Sequence, residues 1–325
     1  MAPTTFKWVK GHDSNKGNEG SDTLAKEGAR KNKEDQIDLS ILAEFDVQGA
    51  KLITLTQAIA YRGIKETNKV PTRQTTMGNL QKTRIAIQEY TNTLETDESI
   101  WLSIRKPEIQ TKIRQFLYKT MHGTQKIGKF WSSIPMLAHC KHCQTCGMTE
   151  TMEHILTKCK EPPARIIWPL VERAWPNNQL DWPRISIGII LGCGHIKKCE
   201  NHDQGNQNEN ALSRQKHQGA AWLATILISE AAHLIWVLRC ERVIHERHHS
   251  DNKITTQWKN VINTRLVSNK IIATKIKHEN KFTNLVKNTW KPLLIKEGPL
   301  SHDWIINSEV LVGRRPRNAP IMEDD

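Results

Sequence analysis

Cys143, Cys146, His154 and Cys159 fall within HCKHCQTCGMTETMEHILTKC at the spacing Cys-x2-Cys-x7-His-x4-Cys. Three thiols and one imidazole are soft or borderline donors, and four of them suit a closed tetrahedral Zn²⁺ site with no coordination position left for a substrate. A metal held this way is structural. The CQTC turn supplies two thiolates from a tight knuckle, while His154 and Cys159 come from one helix or its end. Cys140 offers a competing CKHC pairing with Cys143, and His139 and His142 are further nitrogen donors. The plain alternative is a set of cysteines buried as small hydrophobes beside an incidental histidine.

A second set lies in WVKGHDSNKGNEGSDTLAKEGA. His12 sits in a loop and Asp22 at the start of a helix, a pattern that can bring an imidazole and a carboxylate to one site. In metal-assisted phosphodiester cleavage, carboxylates hold a pair of Mg²⁺ ions that activate water and stabilise the leaving oxygen. A nearby histidine can shuttle a proton or help product leave. As bare residues the two read as a solvated loop histidine and a first-turn aspartate favoured by the helix dipole.

A third set, Cys193, His195, Cys199 and His202 in CGHIKKCENH, has ligand chemistry but cramped spacing and no partner motif nearby. Cys193 within ILGCG reads as a buried small residue, and HERHH over 245–249 as a solvated helix end. No Walker loop, dinucleotide fingerprint, Ser-His-Asp context or HExxH is present. GRRPR near 313 reads as a short nucleic-acid or nuclear signal, or as a solvated tail.

The string WVKGH…GNEGSDTLAKEGA closely resembles the last strand, loop and helix of type 1 ribonuclease H domains, most of all those ending fungal retrotransposon polyproteins. The resemblance implies an RNA–DNA hybrid endoribonuclease lineage, with His12 at the family's loop histidine and Asp22 at its final metal-binding carboxylate. The family's other three active-site carboxylates belong upstream, and four residues precede the strand here. The expectation is a truncated ribonuclease H tail, catalytically silent by itself, because one carboxylate cannot hold two Mg²⁺ ions; the site would need complementing by an upstream polyprotein portion. CGMTETMEHILTKC is similar to the zinc-binding domain that follows reverse transcriptase in many non-LTR elements. There the Cys-x2-Cys pair directly precedes this stretch, which implies Cys143, Cys146, His154 and Cys159 as the zinc ligands and leaves Cys140 outside. WLSIRKPEIQTKIRQFLYKTMHGTQKIGKFW, ILGCG, LISEAAHLIWVLRCERVI and SEVLVGR also resemble the region after ribonuclease H in such elements. On that reading nearly all the chain belongs to one C-terminal region of a retrotransposon polyprotein.

Helix must do most of the positioning, and the fold class expected is mainly α (α+β overall), a ribonuclease H strand-and-helix remnant followed by a helical body with one zinc knuckle. TFKWVK over 5–10 alternates like a strand. Asn18 reads as the N-cap of a helix over 19–31, with Leu24, Ala25, Gly28 and Ala29 on one face. Leu52, Leu55 and Ile59 have helical spacing, and a further helix is expected near 79–96. RKPEIQTKIRQFLYKTMHG is the clearest amphipathic segment: Pro107 fits a first turn, and Ile109, Ile113, Phe116, Leu117 and Met121 share a face. A short helix is expected around 166–175 and two longer ones near 218–248 and 254–290. The second of these carries Ile254, Trp258, Val261, Ile262 and Leu266 at core spacing. The organisation expected is a remnant over 1–31, a helical connection over 32–98, a helical zinc-binding region over 99–192 with its knuckle at 140–160, a polar linker over 193–217, a helical C-terminal region over 218–312, and a disordered tail over 313–325.

With 38% hydrophobic and 25% charged residues the 325-residue chain can bury a sizeable core. Its formal net charge of +13 favours polyanionic partners. Lys106, Lys112, Arg114, Lys119, Lys126 and Lys129 are the candidate phosphate contacts for RNA, DNA or a hybrid, and the knuckle adds Lys141, Lys158 and Lys160. Eleven tryptophans against five phenylalanines and three tyrosines read chiefly as core, with a few left as base-stacking platforms. The first 20 residues lack an apolar leader. Seven cysteines, an odd number with four of them clustered at 140–159, point to a reducing compartment. An intracellular protein, nuclear or cytoplasmic, is therefore expected. AAWLATILISEAAHLIWVLR, residues 220–239, is nearly long enough for a membrane span, but Glu230 and His233 would be expensive in lipid, so a buried core helix and no membrane are expected.

Overall fold

The computed structural model describes residues 16–33, 56–68, 71–176, 180–197, 211–276, 280–294, 304–306 and 311–312. His12, the strand expected over 5–10, Leu52, Leu55, Cys199, His202 and the tail from 313 lie outside them. The chain divides into two compact units, Met1–Val70 and Pro71–Asp325.

The described part of the first unit holds α1 (Lys16–Ala29) and α2 (Gln57–Thr67), neither of which buries a residue. α1 starts before Asn18, so that residue is inside the helix rather than its cap. In α2 the Thr56 hydroxyl accepts from the Ile59 N–H at 3.3 Å, satisfying one of the donors every helix start leaves unpaired.

The second unit is built of α3 (Gln74–Thr91), α4 (Asp97–Ser103), α5 (Thr111–His122), α6 (Lys129–Ser132), α7 (Ala164–Ala174), α8 (Ile187–Leu191), α9 (Ala211–His245), α10 (Asp251–Lys275) and α11 (Asn280–Leu294). α3 runs earlier than expected and stops at Thr91, because Asn92 turns left-handed at φ 56° and its N–H caps the Gln88 carbonyl. A second short helix, α4, follows, started by the Thr96 hydroxyl accepting from the Ser99 N–H at 3.1 Å. α5 begins at Thr111, so Pro107 belongs to the turn before it and not to its first turn. That turn is tied down by Arg114, which donates to the carbonyls of Ile109 (2.8 Å) and Lys106 (3.0 Å), and by Arg265, which donates to the Glu108 carbonyl. The apolar face stands as read: Ile109, Ile113, Phe116, Leu117 and Met121 are all buried. The helix expected over 254–290 is two, α10 and α11.

α9 is the axle, packing against α5, α7, α8, α10 and α11. A helix touched on so many sides must be apolar around most of its girth, and Leu223, Ala224, Ile226, Leu227, Ile228, Ala231, Ala232 and Ile235 are all buried. It is long and apolar enough to cross a membrane, but 72% of its most apolar stretch is covered by the protein's own packing. Glu230 lies in that core at 3% exposure; burial pushes its carboxyl up, against the pull of Arg265 and Lys112. Among the described residues the only β pairing is the isolated antiparallel bridge His142–Thr149.

Candidate metal centre

Cys143 and Cys146 sit on a loop folded on itself. The Gly147 N–H donates to the Cys143 carbonyl at 2.8 Å, the Cys143 N–H to the Met148 carbonyl at 2.7 Å, and the Glu150 N–H to the Lys141 carbonyl at 3.0 Å. Gly147 reverses the chain at φ 74°, a conformation with a Cβ penalty for other residues, and so aims both thiols at the same side. The other two ligand candidates bracket a single π-helical turn, His154–Lys158, with His154 as its first residue and Cys159 as its C-cap. In an α-helix residues five apart point about 140° away from each other. Here the Cys159 N–H reaches back to the His154 carbonyl at 2.8 Å, the wider turn that brings an i, i+5 pair onto one side.

The result is convergence. The four ligand atoms of Cys143, Cys146, His154 and Cys159 all lie within 4.8 Å of one another. Cys146 Sγ is 3.3 Å from His154 Nε2 and 3.9 Å from Cys159 Sγ. Thiolates on a tetrahedral zinc, each about 2.3 Å from the metal, stand about 3.7 Å apart, so the group is already near coordination geometry and could hold a metal ion such as zinc. Burial acts against a Cys143 thiolate, but the Thr145 and His154 side chains overcome it and hold this thiol down at about 6. Burial pushes Cys159 up to about 11, with the neighbouring Cys143 and Cys146 adding to the rise.

Two contacts fasten the loop to the helices. Gly128 adopts φ 50° with no room for a side chain, because a Cβ would overlap the Glu150 carbonyl oxygen. Glu150 then reaches Arg239 on α9: Nε donates to Oε1 at 3.2 Å and Nη2 to Oε2, with the two side chains only 2% and 4% exposed. Burial works against the Arg239 charge, and the hydrogen bonds it donates to Glu150, with that carboxylate's charge, more than restore it. Beyond the π turn, the Trp168 indole on α7 donates to the Leu156 carbonyl at 2.7 Å and Arg242 to the Pro162 carbonyl at 3.0 Å.

No protein-family model matches this chain, no curated protein matches it, and no solved structure matches it.

The competing donors are separated from this group. His139 bonds Cys140 Sγ at 3.3 Å and His142 Nδ1 faces the Gly147 carbonyl at 3.2 Å, and neither joins the four. Cys193 is fully buried, its thiol pushed up to about 12, as expected of a small core residue. His195 spends its ring on the Ser99 carbonyl (3.1 Å) and Glu95 (3.5 Å). At the end of α9, His249 pairs with Glu241. Asp22 lies half-buried on α1 and enters no ligand cluster among the described residues.

The candidate phosphate contacts divide. Lys112, Lys119, Lys126 and Lys129 are exposed, Lys126 with its ammonium 5.6 Å from the Phe130 ring centroid. Lys106 and Arg114 are exposed and half-buried respectively, with donors already committed to backbone carbonyls of Gly194, Ile109 and Lys106. Lys158 is drawn into a bridge with Glu153 at 2.7 Å, which Lys82 shares at 2.6 Å. Sequence reasoning missed two features. One is the Glu150–Arg239 pair, for which an acid beside the CxxC turn and a cation at the end of the apolar run 220–239 were the available signals. The other is a ring cluster in which Trp101 stacks on His122 at 5.0 Å and Tyr118 meets His122 edge-on at 4.5 Å. Arg114, Tyr118 and His122 form an i, i+4, i+8 stripe legible on α5.

Proposed function

We propose that the second unit is a zinc-stabilised helical module that binds nucleic acid through its phosphates, of the kind that follows reverse transcriptase and ribonuclease H in retrotransposon polyproteins. The observation that carries the reading is the convergence of Cys143, Cys146, His154 and Cys159 within 4.8 Å. Three thiolates and an imidazole select zinc over the oxygen-seeking Mg²⁺ and Ca²⁺, and four protein ligands leave it structural. The nucleic-acid part is supported by the +13 net charge and by the exposed Lys112, Lys119, Lys126 and Lys129. Ribonuclease H descent enters through the resemblance around His12 and Asp22; with Asp22 outside any ligand cluster among the described residues, hybrid cleavage by this chain is not part of the proposal.

The test is a metal analysis joined to a salt titration. Freshly reduced protein should carry about one Zn²⁺ per chain. Affinity for DNA should fall with salt by about 0.9 in log–log slope per duplex phosphate contact and about 0.7 per single-strand contact. A variant with Lys112, Lys126 and Lys129 changed to Gln should bind more weakly and with a shallower slope. Zinc-free protein would overturn the metal reading, and an unchanged slope would remove these lysines from the interface.

A further inference from the structure

α3, α4 and α5 enclose an open cavity of about 760 Å³. Its floor is apolar, with Leu80 and Ile104 buried beneath it. Its wall is aromatic: Trp101 of α4 and Tyr118 of α5 lie 5.6 Å apart, with the His122 ring against both. Tyr118 is 54% exposed and Trp101 half-buried, so part of the aromatic wall is in contact with solvent. His122 is locked by a 3.0 Å hydrogen bond between its Nδ1 and the buried Thr76 hydroxyl, so the cluster is oriented before anything arrives. Arg105, Arg114 and Lys119 line the same cavity. The carboxylate among the lining residues, Asp97, is already paired with Arg84. What is left facing the cavity is therefore aromatic surface rimmed by positive charge.

We propose that this groove is a base-stacking site for single-stranded nucleic acid, Trp101 and Tyr118 offering ring faces to unpaired bases while Arg105 and Lys119 take the flanking phosphates. The proposal rests on the phosphate-binding reading above and adds strand selectivity to it. The occupant follows from charge and shape together. An acidic peptide would satisfy the cations but leave the open rings without planar partners, and an apolar helix would leave three cations facing hydrocarbon. Bases carry a π face and a phosphate on each repeat, and stacking on aromatic side chains is tolerant of base identity. In a duplex those faces are covered by neighbouring base pairs, leaving only phosphates to bind. Neither stacking nor phosphate contact reads the sugar, so RNA and DNA strands are equivalent here.

The experiment measures anisotropy of a labelled oligo(dT) strand of about 12 nucleotides, long enough for one stacking site, and of a duplex of equal length at the same salt. Wild type should prefer the single strand. Tyr118→Ala, at an exposed position, should lose about tenfold on the strand, little on the duplex, and keep its salt slope. Trp101→Phe should retain most of the affinity, because a ring face remains. Arg105→Gln and Lys119→Gln should each lower the single-strand slope by about 0.7. Tyr118→Ala binding the strand like wild type, with unchanged circular dichroism, would overturn the groove while leaving the phosphate reading intact. A wild type that prefers duplex would do the same. Wild type binding neither ligand at low salt would overturn both readings.

Discussion

The cysteine loop and the helices around α9 are held together by opposite means. Around α9, Leu223, Ile226, Leu227, Ile228 and Ile235 are removed from water almost completely, and each fully buried side chain of this size contributes about 1.5–3 kcal/mol. Over Pro135–Lys141, the 3₁₀ turn leading into the loop, no residue is buried, and Met136 is 88% exposed. Between 140 and 150, Cys143 and Glu150 are the buried residues, one a ligand candidate and the other half of an ion pair. A segment that buries so little apolar surface needs another source of order. The four converging side chains could supply it by holding a metal ion, and Glu150–Arg239 supplies it through charge. Burial therefore builds the scaffold, while a few polar bonds build the loop.

The largest expected effect comes from breaking the metal site. A structural zinc contributes on the order of 10 kcal/mol to the segment it orders. Cys146→Ser should release the metal and expose the loop to limited proteolysis, while far-ultraviolet circular dichroism keeps most of its helical signal. Loss of the helical signal along with the zinc would show that the two regions are not separable.

The next effect sharpens the join between them. Arg239→Met leaves Glu150 as an unpaired buried carboxylate, which should cost about 3–5 kcal/mol in urea unfolding. Adding Glu150→Gln should recover part of that loss. An absence of recovery would mean that Glu150 acts through its backbone position against Gly128 rather than through its charge.

A third prediction belongs to the helices alone. Burial holds His233 down at about 4, with Lys112 adding to the depression, against about 6.5 in the unfolded chain. The unfolded state therefore binds a proton between these values that the folded state refuses. Stability should fall by up to about 3 kcal/mol as pH drops from about 6.5 to 4. His233→Gln should flatten that part of the pH profile of the urea midpoint. A variant profile parallel to wild type would place the titration elsewhere. The smallest effect is at the start of α10, where the Ser250 hydroxyl accepts from the Lys253 N–H at 3.3 Å. Ser250→Ala should cost about 1 kcal/mol without changing zinc content.

Much of this was legible in one dimension. The apolar face of α5, Ile109 through Met121, follows from helical spacing, because a helix repeats its faces every three or four residues whatever it packs against. Donor chemistry and spacing narrow the ligands to the donors of 139–159, and the choice of Cys143, Cys146, His154 and Cys159 over Cys140, His139 and His142 is what the resemblance implies. The helix expected over 254–290 is two, and the polar run KHENK between Ile276 and Phe282, which interrupts the apolar spacing, was the available signal.

By itself, then, the amino-acid sequence determined which residues are apolar on a common face, that a short segment gathers metal-binding donors, and that the chain is strongly basic. The tertiary structure alone decided that Glu150 meets Arg239 across 89 positions of chain and that Trp101 of one helix joins Tyr118 and His122 of the next around a cavity. It also decided that a helix apolar enough for a membrane is wrapped by α5, α7, α8, α10 and α11 instead. The physical reason is range. Hydrogen bonds within a turn and side-chain periodicity act over a few residues and are written locally, whereas these pairings exist only after packed helices have brought distant segments within a side chain's reach.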